Sequence, residues 1–130
     1  MSKFTLRQKD ELWERTTRGL STQMKRIVND KIENHIAERP FDNEELGYEL
    51  SGLWSYNKME TDSRIIYSIC GDCRKKQWKE MNNCKDCDGM PNETITLWAF
   101  GGHDLYEELR RSRKKTWEKT VKQRRRQRVY

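Results

Sequence analysis

Two Cys-x-x-Cys pairs constrain the fold of this chain more than any other feature. They contain all four of its cysteines, which are Cys70, Cys73, Cys84 and Cys87. The pairs lie between two strand-like runs, 64–69 and 94–100. Each pair can turn two sulfur atoms towards one metal ion, and four thiolates match a tetrahedral zinc site. The spacing therefore predicts a zinc knuckle at 70–87 that replaces the turn of a β-hairpin.

Redox chemistry is the alternative interpretation of these pairs. A redox-active Cys-x-x-Cys usually begins a helix after a strand in a thioredoxin-like βαβ unit, and that order is not predicted here. Paired thiols in a reducing compartment favour metal binding over disulfides. Four thiolates leave no open coordination position, so the predicted zinc is structural and takes no part in catalysis.

Size and composition indicate one small domain with an appendage. The chain has 130 residues, of which 33% are hydrophobic and 37% are charged. A core of that composition is small, so a structural metal would add useful stability. We see no apolar run long enough to cross a bilayer and no signal-peptide pattern, and we expect a cytoplasmic protein without a membrane partner.

The positive charge is concentrated at the C-terminal end. From 110 to 130 there are eleven Lys or Arg and one acid, a net charge of +10, whereas the rest of the chain carries −4. Such a segment commonly contacts nucleic-acid phosphates, although a solvated helix or a soluble tail has the same composition. The residues predicted to bind nucleic acid are Arg110, Arg111, Arg113, Lys114 and Lys115. We divide the chain into a domain at 1–109 and this basic helix or tail at 110–130.

The order of predicted elements is a strand, two helices, three antiparallel strands and a C-terminal helix. Strands are predicted at 4–6, 53–59, 64–69 and 94–100, helices at 9–18 and 104–127, and a short helix at 74–79 inside the cysteine loop. A second N-terminal helix is capped by Ser21 or Thr22 and stopped by Pro40. This order indicates an α+β fold, in which a small antiparallel sheet carries the N-terminal helical hairpin on one face.

Three segments in this order resemble the RelE/ParE superfamily of toxin–antitoxin toxins. They are Leu50-Ser51-Gly52-Leu53-Trp54-Ser55-Tyr56, Ser63-Arg64-Ile65-Ile66-Tyr67 and Ala99-Phe100-Gly101-Gly102-His103-Asp104-Leu105-Tyr106. The resemblance covers about residues 4–109. The cysteine insertion and the long basic tail depart from the compact pattern of that superfamily.

The resemblance implies a small toxin that is neutralised by a cognate antitoxin protein. RelE-like members cut mRNA in the ribosomal A site, so the ribosome and mRNA would be partners, whereas ParE-like members inhibit DNA gyrase. A third reading is a zinc-stabilised RNA-binding protein that keeps the fold without turnover.

The candidate catalytic residues follow from the resemblance and from the chemistry of RNA cleavage. Attack by the 2′-OH needs a base, an acid and a cation for the phosphorane, and no metal is required. The resemblance implies that Arg64 handles the phosphate, that His103 transfers protons and that Tyr106 stacks on a base or joins proton transfer. Structural roles compete with each of these: a surface ion pair, a helix cap and a helix anchor.

The general base is the weakest point of this assignment. RelE-like toxins carry basic residues on the strand where Ser55 and Asn57 stand in this sequence. The neighbouring Lys58 is therefore the candidate substitute.

Overall fold

The computed structural model describes residues 3–84 and 87–127. Its strands are β1 (Thr5–Gln8), β2 (Glu44–Glu45), β3 (Trp54–Tyr56), β4 (Arg64–Ile69) and β5 (Thr94–Gly101). Its helices are α1 (Asp10–Thr17), α2 (Thr22–Lys31), α3 (Cys70–Lys75) and α4 (His103–Arg126). A π-helical turn (Ile32–Ile36) extends α2, and 3-10 turns cover Pro40–Asp42, Tyr48–Leu50 and Cys87–Gly89.

The strands form one five-stranded sheet in the order β1-β5-β4-β3-β2. β1 runs parallel to β5, and the other neighbours are antiparallel. The predicted α+β fold is confirmed, and β4 has the bounds that the sequence predicts. β3 is shorter than the predicted strand at 53–59, and β2 lies between Pro40 and that strand, where no element is predicted.

The sheet has a core on each face. Consecutive residues of a strand point to opposite faces, and in β4 the residues Ile65 and Tyr67 belong to one core and Ile66 to the other. The first core packs α1 and α2 against the sheet through Trp13, Val28, Ile32 and Ile36. The second core holds Leu105 and Leu109 of α4. The helices therefore do not all pack on one face, because α4 covers the face that the hairpin leaves open.

The N-terminal hairpin follows its local sequence signals. Ser21 is the N-cap of α2, where its side chain accepts a hydrogen bond from the backbone N–H of Met24 at 3.1 Å. A serine in this position satisfies one of the unpaired N–H groups at a helix start. The helical run then ends before Pro40, which begins a 3-10 turn.

The first cysteine pair lies on α3, which continues directly from β4 without a loop. The short helix predicted at 74–79 is therefore placed several residues too late. The pair does begin a helix after a strand, as redox-active pairs do, so that part of the sequence argument was wrong. The βαβ unit is nevertheless absent from the described residues, because β4 and β5 are antiparallel.

The C-terminal helix is continuous across the division predicted at 109–110. Leu105, Leu109, Arg113 and Thr120 are buried along it, so it packs well beyond the predicted boundary. None of the helices in 3–84 and 87–127 is long and apolar enough to span a bilayer.

A glycine substitution tests the packing between the loop before β3 and the cysteine region. Gly52 has φ +94°, and a Cβ there would lie 2.9 Å from atoms of Asn82 and Trp78. Gly52→Ala should lower the free energy of unfolding by roughly 2–4 kcal/mol, because it adds backbone strain and overpacking. Gly19→Ala is the matched control, since nothing lies within 4 Å of its added Cβ. Equal denaturation midpoints for the two variants would contradict this packing.

Candidate active site

The sheet pairing gathers three of the four predicted catalytic residues, Arg64, His103 and Tyr106, at one end of the sheet. Arg64 is the first residue of β4 and pairs with Gly101, the last residue of β5. α4 begins at His103, two residues later. Antiparallel pairing places the start of one strand beside the end of the next. This geometry brings Arg64 and His103, which lie far apart in sequence, to neighbouring positions.

Tyr106 is the centre of this group. The Arg64 guanidinium carbon lies 4.9 Å from the centroid of the Tyr106 ring, and that of Arg110 lies 5.9 Å from it. The His103 and Tyr106 rings meet edge to face, with centroids 6.4 Å apart and planes at 78°. We call Arg64, His103, Tyr106 and Arg110 the Tyr106 cluster. Two cations and an imidazole thus surround one aromatic ring.

Arg64 carries an unsatisfied donor. Its Nη1 atom is buried and has no hydrogen-bond partner among the described residues. Leaving a buried donor unpaired costs about 1–3 kcal/mol, and such groups call for a ligand, an ion or a water. A guanidinium is always charged and presents a planar fork that matches phosphate oxygens. The group is suited to bind an oxyanion beside Tyr106.

A chain of hydrogen bonds fixes the direction of the Tyr106 hydroxyl. The Nδ2 group of Asn57 donates to the carboxylate of Glu44 at 2.6 Å, so the Oδ1 atom of Asn57 faces the other way. Ser55 donates its only hydroxyl proton to that Oδ1 atom. The Tyr106 hydroxyl, 2.7 Å from Ser55 Oγ, must therefore be the donor in that bond. The remaining lone pairs of the Tyr106 oxygen are left to accept a hydrogen bond.

Sequence reasoning missed the role of Ser55, Asn57 and Glu44. In the sequence, Ser55 on β3 and Asn57 at its end stand out only because they are not basic, yet Ser55 contacts the Tyr106 hydroxyl and Asn57 accepts a hydrogen bond from Ser55. Glu44 pairs with Ser55 across β2 and β3. Alternation along β3 predicts that Ser55 and Asn57 point to the same side. Nothing in the sequence indicates β2.

Lys58 lies away from the Tyr106 cluster. It follows β3 and lines a groove of about 240 Å³ together with His35 and Tyr56. Tyr56 belongs to the core on the hairpin face of the sheet. The structure therefore does not bring Lys58 together with Arg64 and His103, and Asn57 is the residue that reaches the Tyr106 side.

The basic residues of α4 divide into exposed and buried groups. Arg110, Arg111, Lys114 and Lys115 are exposed, as nucleic-acid contacts require. Arg113 is only 5% exposed. Its guanidinium donates to the backbone oxygens of Glu49 and Ser51 at 2.6 Å. The prediction that Arg113 contacts nucleic acid is not supported, because its donors are used inside the protein.

Arg113 also adjoins the cysteine region. It donates to Oδ1 of Asn82 at 2.9 Å, and Nδ2 of Asn82 lies 3.5 Å from the Cys73 sulfur. Burial lowers the pKa of Arg113 to about 10, and the nearby thiols of Cys73 and Cys84 oppose that shift. The guanidinium is therefore charged at neutral pH, and it favours negative charge on those thiols.

The thiols that the structure describes are buried. Cys73 and Cys84 form one small cluster against Trp78, and Nη2 of Arg7 lies 3.9 Å from the Cys70 sulfur. The side chain of Cys87 lies outside the described residues. Among the described side chains, no group of three or more Cys, His, Asp or Glu is arranged to hold a metal ion. The zinc knuckle stays a prediction.

Replacing Arg113 tests its structural assignment. Arg113→Met should lower the free energy of unfolding by roughly 3 kcal/mol or more, because it leaves the buried carbonyl of Ser51 and the half-buried carbonyl of Glu49 unpaired. Lys114→Met removes the same charge at an exposed neighbour and should change stability by less than about 0.5 kcal/mol. Denaturant titration measures both. A similar small effect for the two variants would contradict the buried role.

Comparison with known proteins supports the fold. No family model matches the chain, and no curated protein matches it. It is similar to a chain in the crystal structure of the toxin–antitoxin complex RelBE2 from Mycobacterium tuberculosis, with a TM-score of 0.54 and 14% identity. The match covers 78% of this chain and 100% of that chain. The expectation of a RelE-like fold, drawn from the short motifs, is confirmed at the level of fold.

Proposed function

We propose that this chain is the toxin of a type II toxin–antitoxin system and that it cleaves mRNA on the ribosome. The observation that carries the proposal is the unsatisfied Nη1 donor of Arg64 next to the Tyr106 ring. The fold shared with a chain of a toxin–antitoxin complex supports the toxin role. The net charge of +10 on residues 110–130 supports a polyanionic target.

The proposed reaction is transesterification within the RNA. The 2′-oxygen forms a bond to the adjacent phosphorus while the bond from phosphorus to the 5′-oxygen breaks, giving a 2′,3′-cyclic phosphate and a 5′-hydroxyl end. His103 takes the proton of the 2′-OH and returns it to the leaving 5′-oxygen, so no proton is gained or lost overall. Arg64 holds the phosphate oxygens and stabilises the added negative charge of the phosphorane.

His103 and Tyr106 supply the rest of the site. His103 is exposed at the first position of α4, where a substrate can reach its ring, and imidazole groups exchange protons near neutral pH. Tyr106 presents an aromatic face for a base and an oxygen whose proton points to Ser55. That oxygen accepts a hydrogen bond from the substrate and orients it beside His103.

A second candidate function is RNA binding without turnover. The observation that favours it is the neutral chain of Ser55 and Asn57 at the Tyr106 hydroxyl, where RelE-like toxins carry basic residues. Arg64 would then hold a phosphate that is never cleaved. A gyrase inhibitor is the third candidate, and it predicts arrest of replication without RNA cleavage.

The first test removes the two charged groups separately. Arg64→Ala should lower the cleavage rate by about 10²–10³-fold, as expected for loss of one electrostatic contributor. His103→Ala should lower it by about 10²–10⁴-fold, as expected for loss of an acid–base group. Mapping of transcript 5′ ends after brief induction measures cleavage in cells, and melting temperatures verify the fold.

The chain offers matched controls for both substitutions. His35 is the other histidine and lies beside Tyr56 on the hairpin face, with ring centroids 6.0 Å apart. Arg26 is an exposed arginine of α2. His35→Ala and Arg26→Ala should leave cleavage unchanged. If transcripts are cut as before in the Arg64 and His103 variants, the nuclease proposal fails; RNA bound without cutting by the unaltered protein favours the second candidate.

Two further parts of the proposal are an antitoxin partner and a structural zinc ion. The antitoxin is proposed because the chain of similar fold was crystallised in a toxin–antitoxin complex. Zinc is proposed because the spacing of the two cysteine pairs suits one tetrahedral ion. The charged Arg113 near Cys73 and Cys84 favours thiolates there and offsets the cost of their burial.

Metal removal tests the zinc ion. The purified protein should hold about one zinc per chain, and a strong chelator should lower its melting temperature by roughly 10 °C. Cys84→Ser should lower both the zinc content and the melting temperature, and chelation should not lower the latter further. Full stability of the unaltered protein after complete chelation would exclude a structural zinc ion.

A further inference from the structure

Three aromatic side chains form a row beside α4. The Tyr48 and Trp117 rings have centroids 6.4 Å apart with planes at 74°, and the Trp117 and Trp78 rings have centroids 6.3 Å apart with planes at 43°. We call these three residues the aromatic row. The Arg124 guanidinium lies 3.9 Å from the centroid of Trp78 and closes the row at that end. The opposite end, at Tyr48, is open.

Tyr48 is held out into solvent against its own backbone preference. Its side chain is 77% exposed. Its φ of 54° is in the left-handed region, which costs a residue with a Cβ on the order of 1–2 kcal/mol. Strained residues that the surrounding structure maintains occur preferentially at ligand sites. The strain here supports a bulky ring that is exposed beside Trp117.

The charge around the aromatic row favours a nucleic acid over a protein partner. Arg110 and Lys114 precede Trp117 by seven and three residues, so they lie on the same side of the helix, and both are exposed. Protein interfaces also use Tyr and Trp, but lysine is depleted in them. Proteins that bind single strands combine a basic track with aromatic rings on which bases stack. The surface of α4 has both features.

The aromatic row lies in line with the Tyr106 cluster. Eleven residues separate Tyr106 from Trp117 on α4, which is close to three full turns and about 16 Å along the axis. Both side chains therefore project to the same side of the helix. At about 3.4 Å per stacked nucleotide, that distance corresponds to roughly five nucleotides. Arg110 and Lys114 occupy the interval between the two sites.

From this arrangement we infer that the aromatic row is a second RNA subsite, which stacks unpaired bases about five nucleotides from the phosphate at Arg64. Tyr48 and Trp117 present the stacking surface, and Trp78 supports Trp117 from behind. Arg110 and Lys114 contact the intervening phosphates. The inference depends on the proposed function for its substrate class, RNA, but stacking itself requires no cleavage.

The test separates binding from catalysis. Binding of single-stranded RNA ten nucleotides long, blocked by 2′-O-methyl groups, is measured on full-length His103→Ala protein. Adding Tyr48→Ala or Trp117→Ala should weaken binding about tenfold each, as loss of one stacked base does. The slope of log affinity against log salt should stay unchanged in these variants, whereas Lys114→Ala should reduce it by about one. A dinucleotide should bind equally to all these proteins.

Two controls protect the interpretation. Phe41 is another exposed aromatic residue, 53% exposed, whose ring contacts Phe4 and Trp54 away from α4. Phe41→Ala should leave RNA affinity unchanged. Trp117→Phe keeps an aromatic face and should recover most of the affinity lost in Trp117→Ala. That recovery would show that the lost affinity comes from the missing ring and not from unfolding.

Several results would overturn the inference. Unchanged RNA affinity in both Tyr48→Ala and Trp117→Ala would do so. The inference would also fail if these two variants bound the antitoxin more weakly but bound RNA normally. The aromatic row would then be a protein contact. Failure of the proposed nuclease function is a separate outcome, since it appears as unchanged cleavage in the Arg64 and His103 variants and leaves the binding measurement intact.

Discussion

The antiparallel pairing of β4 with β5 is the constraint on which the candidate site depends. It sets Arg64 opposite Gly101 and so places the guanidinium beside the start of α4, where His103 and Tyr106 follow. One strand register therefore decides the distance between groups that are about forty residues apart in the chain. A shift of one residue would turn Arg64 to the other sheet face, which α1 and α2 cover. The chemistry proposed here is thus a consequence of sheet register more than of any single side chain.

A buried polar network fixes the middle of α4, at Arg113. Asn82 is fully buried and joins three parts of the chain: it donates to the backbone oxygen of Gly52, it lies against the Cys73 sulfur, and it accepts from Arg113. Buried networks in which each member is paired are rigid, and they are costly to break because the interior offers no replacement partner. The Arg113 cation also lies near Cys73 and Cys84, so the network joins the cysteine region to α4.

Local patterns in the sequence were sufficient for much of this fold. The β-branched run at 64–69 gave β4 its bounds, and Ser21 and Pro40 marked the ends of the second helical run. β2 was not predictable, since two glutamates become a strand only through backbone pairing with β3. The burial of Arg113 depends on carbonyl groups of a distant turn, and composition marks such a residue as a surface cation. Lys58 was misplaced because the alternation of side chains puts it on the side of Tyr56, opposite Ser55 and Asn57.

The two departures from the compact pattern, the cysteine insertion and the long helix, form one structural unit. Arg124 donates to the backbone oxygens of Lys76 and Gln77, and the Thr120 hydroxyl contacts the Met81 sulfur. Gln77 itself has a positive φ of 61°, a conformation that needs support from its surroundings. A polar helix as basic as α4 has too few apolar residues to dock by hydrophobic burial alone. The insertion supplies the missing contacts, and the helix in turn packs over the insertion. Each element therefore stabilises the other. The aromatic row lies where the insertion packs against α4. The contacts that stabilise the helix therefore also leave an aromatic and basic surface exposed in line with the candidate active site.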